Sequence, residues 1–242
     1  MCIRDRNKSY SNKKGNSWSV GTLGWGLAVT LGVYAGKYSG AHINPAVTIG
    51  LLSSGEIELF TALEYITGQC LGAFTACVLV YIHYLPHWSK TEDEKVKLGV
   101  FATSPSISSK WSNLNSELVG TFILLFGLKF IGINDFAQGL NPIVVGALVC
   151  AIGISLGGTT GYAINPVRDF IPRLSHSILP IKGKGNSNFS YSWIPVVGPI
   201  VGGVLGVNLY EFLFENTVNV YLYISLSIFF VVTALSLIEN KN

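Results

Sequence analysis

The 242-residue chain has little charge. Lys, Arg, Asp and Glu together make up 12% of it, whereas hydrophobic residues make up 49%. Soluble domains carry about 25% charged residues, so the composition excludes an ordinary soluble domain and indicates an integral membrane protein. The formal net charge of +3 is not gathered into a basic stripe interleaved with aromatic residues. A chain without such a stripe does not follow a phosphate backbone, and we expect no nucleic-acid partner.

Cysteine and catalytic groups are also scarce. The four cysteines lack the close paired spacing of a metal site, and Cys70, Cys77 and Cys150 lie in apolar runs, which predicts small buried side chains. No nucleophile beside a base, no acid/base pair and no Gly-rich phosphate loop is recognisable. We therefore expect no metal, no cofactor and no enzymatic activity. The polar opening, residues 1–17, lacks the apolar core of a signal peptide.

Six apolar stretches are close to the roughly 20 residues that a helix needs to cross a bilayer. They cover residues 18–38, 60–85, 117–133, 142–159, 193–214 and 218–238. The polar segments 87–111 and 181–192 between them are predicted to be solvent-facing loops. The sequence therefore predicts an all-α, multi-pass protein of the cell membrane.

Two apolar regions are interrupted by an Asn-Pro pair. Asn44-Pro45 lies in SGAHINPAVTIG, and Asn165-Pro166 lies 121 residues later in TGYAINPVRDFIPRL. Asn caps free N–H groups and Pro fits the first helical position, so a helix begins at each break, but the apolar stretch behind it is too short to span. Lipid cannot satisfy non-helical backbone, so such breaks line a cavity or a buried site. Asn141-Pro142 precedes a full-length span and is interpreted as an ordinary capped helix start.

These two strings resemble the signature loops of the major intrinsic protein family, the aquaporins and glycerol facilitators. The resemblance runs from about Trp18 to Phe214, and the segment HSILPIKGKGNSNFSYSWIPVVGPIVGG is similar to the bacterial glycerol uptake facilitators. It implies an aquaporin-like inverted-repeat helical bundle with two re-entrant half-helices. The repeats would be residues 18–116 and 117–214. Residues 215–242 would be an extra hydrophobic segment, interpreted as an anchor unrelated to the pore.

The first repeat implied by the resemblance is shorter than the second. Glu117 precedes Asn165 by 48 residues, and the same offset from Asn44 falls before Met1. We therefore expect the family's first spanning helix to be absent from this sequence. We also expect the opening MCIRDR to reflect an incomplete reading frame and not a native start.

The resemblance assigns two pore motifs: Asn44, Pro45, Ala46, and Asn165, Pro166, Val167. Val167 departs from the usual Ala of the family. The carboxamides of the two asparagines would donate hydrogen bonds to the oxygen of a passing solute. Each half-helix N-terminus would add roughly half a positive charge, which repels cations.

The resemblance also assigns a selectivity filter: Trp25, Gly153, Tyr162 and Arg168. An arginine at membrane depth is costly, which favours a functional role for it. The spacing from Trp25 to Asn44 is one residue shorter than the family pattern, so Gly24 is an alternative, and Trp25 is alternatively an interfacial anchor. Gly153 leaves room for a carbon chain, although small residues also let membrane helices pack closely.

Three further residues are assigned near the pore. By resemblance, His42 shapes a vestibule, Asp169 marks the glycerol-conducting branch and accepts hydrogen bonds within its loop, and Glu117 holds a signature loop through backbone hydrogen bonds.

The function implied is a passive channel for glycerol and similar small neutral solutes, with water, that excludes ions and protons. Its partners would be those solutes, the lipid bilayer and further copies of the chain in a homotetramer. The alternatives are a water-selective aquaporin, a coupled secondary transporter, and an inactive or structural membrane protein. A coupled transporter would need an additional carboxylate or ion site, for which Glu64 is the only loose candidate.

Overall fold

The computed structural model describes residues 16–241, and its regular structure is entirely helical. Its α-helices are α1 Asn16–Ala35, α2 Pro45–Ser54, α3 Leu59–His83, α4 Leu85–Trp88, α5 Glu94–Phe101, α6 Lys110–Gly132, α7 Asn141–Leu156, α8 Pro166–Ile178, α9 Ile194–Tyr210 and α10 Val220–Glu239. A π-helical turn, Glu211–Glu215, extends α9. Four helices, α3, α6, α9 with its extension, and α10, are long and apolar enough to cross a membrane. The predicted all-α membrane fold is confirmed, whereas the predicted segment 1–17 lies almost wholly outside the described residues.

The packing of the helices has an internal symmetry. α1 packs along α7, the half-helix α2 lies on α9, and the half-helix α8 lies on α3. The order α1, α2, α3 thus corresponds to α7, α8, α9, with each half-helix resting on the long helix of the other set. α6 packs along α9, but among residues 16–241 no helix packs along α3 in the same way, and α3 buries only Ala62, Cys77 and Val80.

The closest helix contacts are made where glycine removes the side chain. A Cβ added at Gly202 of α9 would lie 2.2 Å from the carbonyl oxygen of Leu118 on α6. A Cβ at Gly146 of α7 would lie 1.9 Å from Oγ1 of Thr30 on α1. These two contacts bring the helix backbones together around the central cavity.

The prediction that segment 87–111 is entirely a solvent-facing loop was wrong. It contains the second half of α4, all of α5 and the start of α6. In α5 the side chain of Lys97 is buried, and its Nζ donates hydrogen bonds to the carbonyl oxygens of Lys182 and Gly183, each at 2.7 Å. The segment folds because α5 docks on the connection that follows α8.

Two helix starts also differ from their predictions. α6 begins at Lys110, seven residues before the predicted span, because its polar first turns pair with side chains of α10. Ser112 Oγ, for example, lies 2.8 Å from Ser236 Oγ. α7 begins at Asn141 itself, whose side chain makes no capping bond, so the predicted Asn cap was wrong there.

Candidate functional site

A cavity of about 500 Å³ lies between the helices. Much of its wall is apolar, formed by side chains that include Val29, Leu51, Leu125, Val149 and Val207. Its polar lining includes Arg168 in the first turn of α8, the two asparagines of the Asn-Pro pairs, and, beyond the last turn of α2, Glu56 and Lys129. The cavity therefore runs past both half-helix starts.

Each asparagine caps its own half-helix. The Oδ1 atom of Asn44 accepts a hydrogen bond from the N–H of Ala46 at 2.9 Å. The Oδ1 atom of Asn165 accepts from the N–H groups of Val167 and Arg168, at 3.1 and 3.2 Å. Both half-helices thus begin where the Asn-Pro chemistry predicts, and their positive ends face the cavity.

The same asparagines also join the two loops. Nδ2 of Asn44 donates to the carbonyl oxygen of Ile164 at 2.7 Å, and Nδ2 of Asn165 donates to the carbonyl oxygen of Ile43 at 2.9 Å. A carboxamide nitrogen has two N–H donors, so these contacts use one hydrogen of each asparagine, and both residues line the cavity.

The backbone before each half-helix is held in an uncommon conformation. Ala41, Tyr162 and Ile164 have φ values of 57°, 39° and 40°, in the left-handed region that non-glycine residues seldom adopt. The fully buried carboxylate of Glu117 fixes the second loop by accepting hydrogen bonds from the N–H groups of Ala163 and Ile164, at 2.9 and 2.8 Å. Backbone strain of this kind persists where surrounding contacts enforce it, which is common at functional sites.

Three of the four assigned filter residues come together at the α8 side of the cavity. Cζ of Arg168 lies 4.3 Å from the ring centroid of Trp25, within cation–π distance. Tyr162 lines the same stretch of wall, and its ring meets Trp18 edge to face at a centroid distance of 5.8 Å. The site has a cationic donor over the ring of Trp25, and Trp25 packs against the hydrophobic cluster that contains Tyr162. Gly24, the alternative to Trp25, is exposed and does not line the cavity.

Gly153, the fourth assigned residue, lies behind this group. It is not among the residues that line the cavity. A Cβ added there would lie 2.7 Å from Cζ of Tyr162 and 2.9 Å from Cγ2 of Thr22. The carbonyl oxygen of Gly153 accepts a hydrogen bond from Nε1 of Trp18 at 3.0 Å. Gly153 therefore shapes the wall through the position of the Tyr162 ring.

Asp169 is fully buried outside the cavity lining and organises the loops around α8. Its Oδ2 accepts hydrogen bonds from the N–H and Oγ1 of Thr103, at 2.7 and 2.6 Å, and its Oδ1 accepts from Nη2 of Arg173 at 2.7 Å. The guanidinium of Arg173, also fully buried, donates further to the carbonyl oxygens of Thr103, Ser187 and Asn188. Sequence reasoning missed Arg173, although its spacing of four residues from Asp169 was a usable signal.

His42 lines the cavity beside α3. Its ring meets that of Tyr65 edge to face at a centroid distance of 5.0 Å, and its backbone carbonyl accepts a hydrogen bond from Nε2 of Gln69. The same Nε2 lies 3.0 Å from Oγ1 of Thr48 on α2. Gln69 was missed because nothing in its local sequence indicates that it reaches the first signature loop.

The remaining motif residues serve the backbone and its packing. Pro45 and Pro166 occupy the first positions of the two half-helices. Ala46 is completely buried against α9, where a Cβ at Gly203 would lie 2.7 Å from the carbonyl oxygen of Ala46. Val167 is buried and does not line the cavity, so the larger side chain at this position does not narrow it.

Comparison with known proteins now identifies the architecture. Residues 3–210 match the family model described as major intrinsic protein. The chain belongs to the major intrinsic protein family. It is 55% identical over 208 residues to a probable glycerol uptake facilitator protein of Thermotoga maritima, covering 86% of this chain and 88% of that protein. It is 50% identical over 231 residues to the glycerol uptake facilitator protein of Bacillus subtilis, covering 95% and 83%.

A solved structure supports the same assignment. The aquaglyceroporin from Plasmodium falciparum superposes with a TM-score of 0.70 at 35% sequence identity, covering 81% of this chain and 82% of that one. This major intrinsic protein is thus an integral, multi-pass membrane protein with an aquaporin-like fold, and members of its family are passive channels and not enzymes.

The part of the cavity beyond the C-terminal end of α2 carries a charged cluster that sequence reasoning missed. Nζ of Lys129 on α6 lies 3.0 Å from Glu56, which follows α2, and 3.7 and 3.4 Å from Glu211 and Glu215 in the π-helical extension of α9. Lys129, Glu56 and Glu215 line the cavity. In this member of the major intrinsic protein family, one lysine therefore joins the ends of three helices beside the cavity.

Proposed function

We propose that the chain forms a passive channel for glycerol and similar small neutral solutes, and for water, which excludes ions and protons. The observation that carries the proposal is the cavity in which two half-helix starts present the amides of Asn44 and Asn165 on an otherwise largely apolar wall. Relatives that are named as glycerol uptake facilitators, and the similar aquaglyceroporin structure, support glycerol as the solute.

In the proposed pathway, the hydroxyl groups and the carbon backbone of a polyol contact different residues. Arg168 donates hydrogen bonds to hydroxyl groups, while Trp25 and Tyr162 accommodate the carbon backbone. Farther along, the free amide hydrogens of Asn44 and Asn165 bind a hydroxyl or water oxygen. The wall between these groups is largely apolar, which keeps each bound state weak and its release fast.

Ion exclusion has an electrostatic origin in this proposal. The positive ends of α2 and α8 and the guanidinium of Arg168 all face one cavity with a low-dielectric wall, which repels cations. An oxygen that accepts from both asparagines directs its own hydrogens away from them, and this orientation interrupts proton transfer along a water file.

The test is solute flux through the full 242-residue chain in liposomes. Stopped-flow light scattering should record glycerol and water permeation above that of empty vesicles, without any ion gradient. The double variant Asn44→Leu/Asn165→Leu is the control and should lose glycerol flux. Water flux without glycerol flux indicates a water-selective channel, and a requirement for an ion gradient indicates coupled transport. No flux from folded protein indicates a structural role.

Glu64, the carboxylate considered for coupling, is exposed on α3 and does not line the cavity.

We further propose two inverted repeats, residues 18–116 and 117–214, and a homotetramer with one pore in each subunit. The reciprocal packing of α2 on α9 and of α8 on α3 supports the repeats. An exposed apolar stripe on α1, formed by Val20, Leu23, Leu27 and Leu31, offers a surface that a second copy could cover. A cross-linking series that ends at the dimer would contradict the tetramer.

A further inference from the structure

Helix α10 follows the second repeat, and sequence reasoning interpreted it as an anchor unrelated to the pore. In the structure it packs against both α6 and α9. Its buried Leu222 joins an apolar cluster with Leu118 of α6 and Leu205 of α9. The two ends of α10 are also hydrogen-bonded to the helices that build the cavity.

The last turn of α10 caps α6. The carboxylate of Glu239 accepts hydrogen bonds from the N–H groups of Lys110, Trp111 and Ser112, at 2.8, 2.9 and 3.3 Å, and from Oγ of Ser109 at 2.7 Å. The first N–H groups of a helix have no partner within it. Glu239 therefore supplies, from a distant part of the chain, the cap that α6 needs.

The first turn of α10 is linked to the half-helix α2 by a single side chain. Oδ1 of Asn219 caps α10 by accepting from the N–H groups of Tyr221 and Leu222, at 2.9 and 3.2 Å. Nδ2 of the same residue donates to Oδ1 of Asn208 on α9 and to the carbonyl oxygen of Ser53, at 3.4 Å for the latter. Ser53 lies in the last turn of α2, where carbonyl groups lack intrahelical partners. One carboxamide thus caps the start of α10 and contacts the end of α2.

Asn208 reinforces this link. Its side chain is 1% exposed, and its Nδ2 donates to Oγ of Ser53 at 2.7 Å and to the carbonyl oxygen of Val204 at 2.8 Å. Its one acceptor, Oδ1, receives the hydrogen bond from Asn219. Without Asn219, the buried Asn208 acceptor would lose this partner, which is costly in a dry environment.

The end of α2 is coupled to the pore because α2 is short and closely packed. Its ten residues span about 15 Å from Ser54 to Asn44, which lines the cavity. A Cβ at Gly50 would lie 3.1 Å from the carbonyl oxygen of Gly203, so α2 has little room to bend against α9. A displacement at Ser53 therefore moves the whole half-helix.

We propose that Asn219, through Asn208 and Ser53, is a positioning residue of the channel that sets the place of Asn44 in the cavity. The proposal rests on the channel function proposed above and extends it to a helix outside both repeats. The alignment with the Bacillus subtilis relative covers 95% of this chain, too much to leave out the 20 residues of α10. That relative therefore has sequence matching at least part of this helix.

The test separates the two uses of the Asn219 side chain. Asn219→Asp and Asn219→Ser both keep an oxygen that caps α10, because Asp and Ser are as good as Asn at this position. Neither supplies the amide donor to Asn208 and Ser53. The matched control is Glu239→Ala, which weakens the attachment of α10 at its other end without touching α2. All variants are made in the full chain.

Two measurements are compared on equal amounts of folded protein in liposomes: the ratio of glycerol to water permeability, and amide hydrogen exchange in residues 46–57. We expect both Asn219 variants to lower the ratio by about threefold, because the larger solute depends more on the placement of Asn44. We also expect faster exchange at the end of α2. Glu239→Ala should lower the melting temperature and speed exchange at the start of α6, with the permeability ratio unchanged.

An unchanged ratio and unchanged exchange in both Asn219 variants would overturn the proposal. An equal fall of the ratio in Glu239→Ala would also overturn it, since α10 would then act only as a general support. If the wild-type chain conducts no glycerol, the proposed function fails on its own. The exchange measurement still decides whether Asn219 holds α2 in place.

Discussion

At the scale of single residues, Gly153 lies behind the Tyr162 ring, which lines the cavity. We expect Gly153→Ala to push this ring toward the cavity, because the new Cβ would lie 2.7 Å from Cζ of Tyr162. Glycerol permeability should fall about tenfold and water permeability less, at a folding cost of about 1–3 kcal/mol for the added methyl group. Stopped-flow measurements with both solutes on the same vesicles give the two values.

Gly24→Ala is the matched control for that substitution. Gly24 is exposed on α1 and an added Cβ would meet no atom within 4 Å. Glycerol and water permeabilities of Gly24→Ala should equal those of the unmodified chain. Equal loss of glycerol and water flux in Gly153→Ala would mean that the residue serves helix packing alone. Loss of flux in Gly24→Ala would favour Gly24 over Trp25 as the filter position.

Arg173 carries a stability prediction. Arg173→Met leaves the fully buried carboxylate of Asp169 without its cation, and removing one partner of a buried pair costs about 3–5 kcal/mol. Asp169→Asn/Arg173→Met should lose less stability than the two single variants add up to, because neither charge is then left alone. Thermal unfolding of the four proteins in one detergent tests this, and strictly additive losses would contradict it.

The candidate site was predictable from sequence where the local chemistry of a residue determines its conformation or its role. Asn44 and Asn165 cap their half-helices as predicted, because Asn accepts from free N–H groups and Pro fits the first helical position; Asn141 shows that the pair alone does not ensure a cap. Arg168 stood out because charge is costly at membrane depth. Gln69 and the place of Gly153 behind Tyr162 depend on contacts between helices distant in sequence, for which no local pattern exists.

At the scale of helices, four of the six predicted spans, α3, α6, α9 with its extension and α10, are helices long and apolar enough to cross a membrane, whereas the packing partners of the helices were not predictable. The apolar length of α3 or α10 marks it as a membrane helix whatever it touches. The early start of α6, by contrast, follows from the cap supplied by Glu239, which is 129 residues away from Lys110. Similarly, α5 is held in place by a distant part of the chain, because Nζ of its Lys97 donates hydrogen bonds to the carbonyl oxygens of Lys182 and Gly183.

Lys129 is the element-scale test, because it joins the ends of three helices. Lys129→Met should destabilise the protein by about 2 kcal/mol, since it removes a hydrogen bond between charged groups and leaves three carboxylates facing one another. Lys129→Met/Glu56→Gln should recover part of the loss by reducing the repulsion. Melting temperatures at low and high salt check this, and the deficit should shrink in high salt, where repulsion is screened.

At the scale of the whole molecule, the proposed exclusion of ions rests on positive groups from different parts of the chain. The start of α2, the start of α8 and Arg168 face one cavity, although Asn44 and Asn165 are 121 residues apart. Because their potentials add along a single path, we expect no one of them to hold the barrier alone. Removing one group should therefore produce a small leak, and removing two should produce more than the sum of the single leaks.

Asn44→Asp and Arg168→Leu test this sharing. In Asn44→Asp, one carboxylate oxygen still caps α2. The other places negative charge where the Asn44 amide donated to the carbonyl oxygen of Ile164. Arg168→Leu removes the cation beside Trp25. We expect each single variant to raise proton flux several-fold, and the pair to raise it by about the product of the two single factors, as additive barriers require. A pH-sensitive dye trapped in liposomes measures this flux, with glycerol permeation on the same vesicles as the check that the pore remains open. A leak in the pair no larger than the sum of the single leaks would mean that the two groups act on separate paths, and the electrostatic account of exclusion would have to be abandoned.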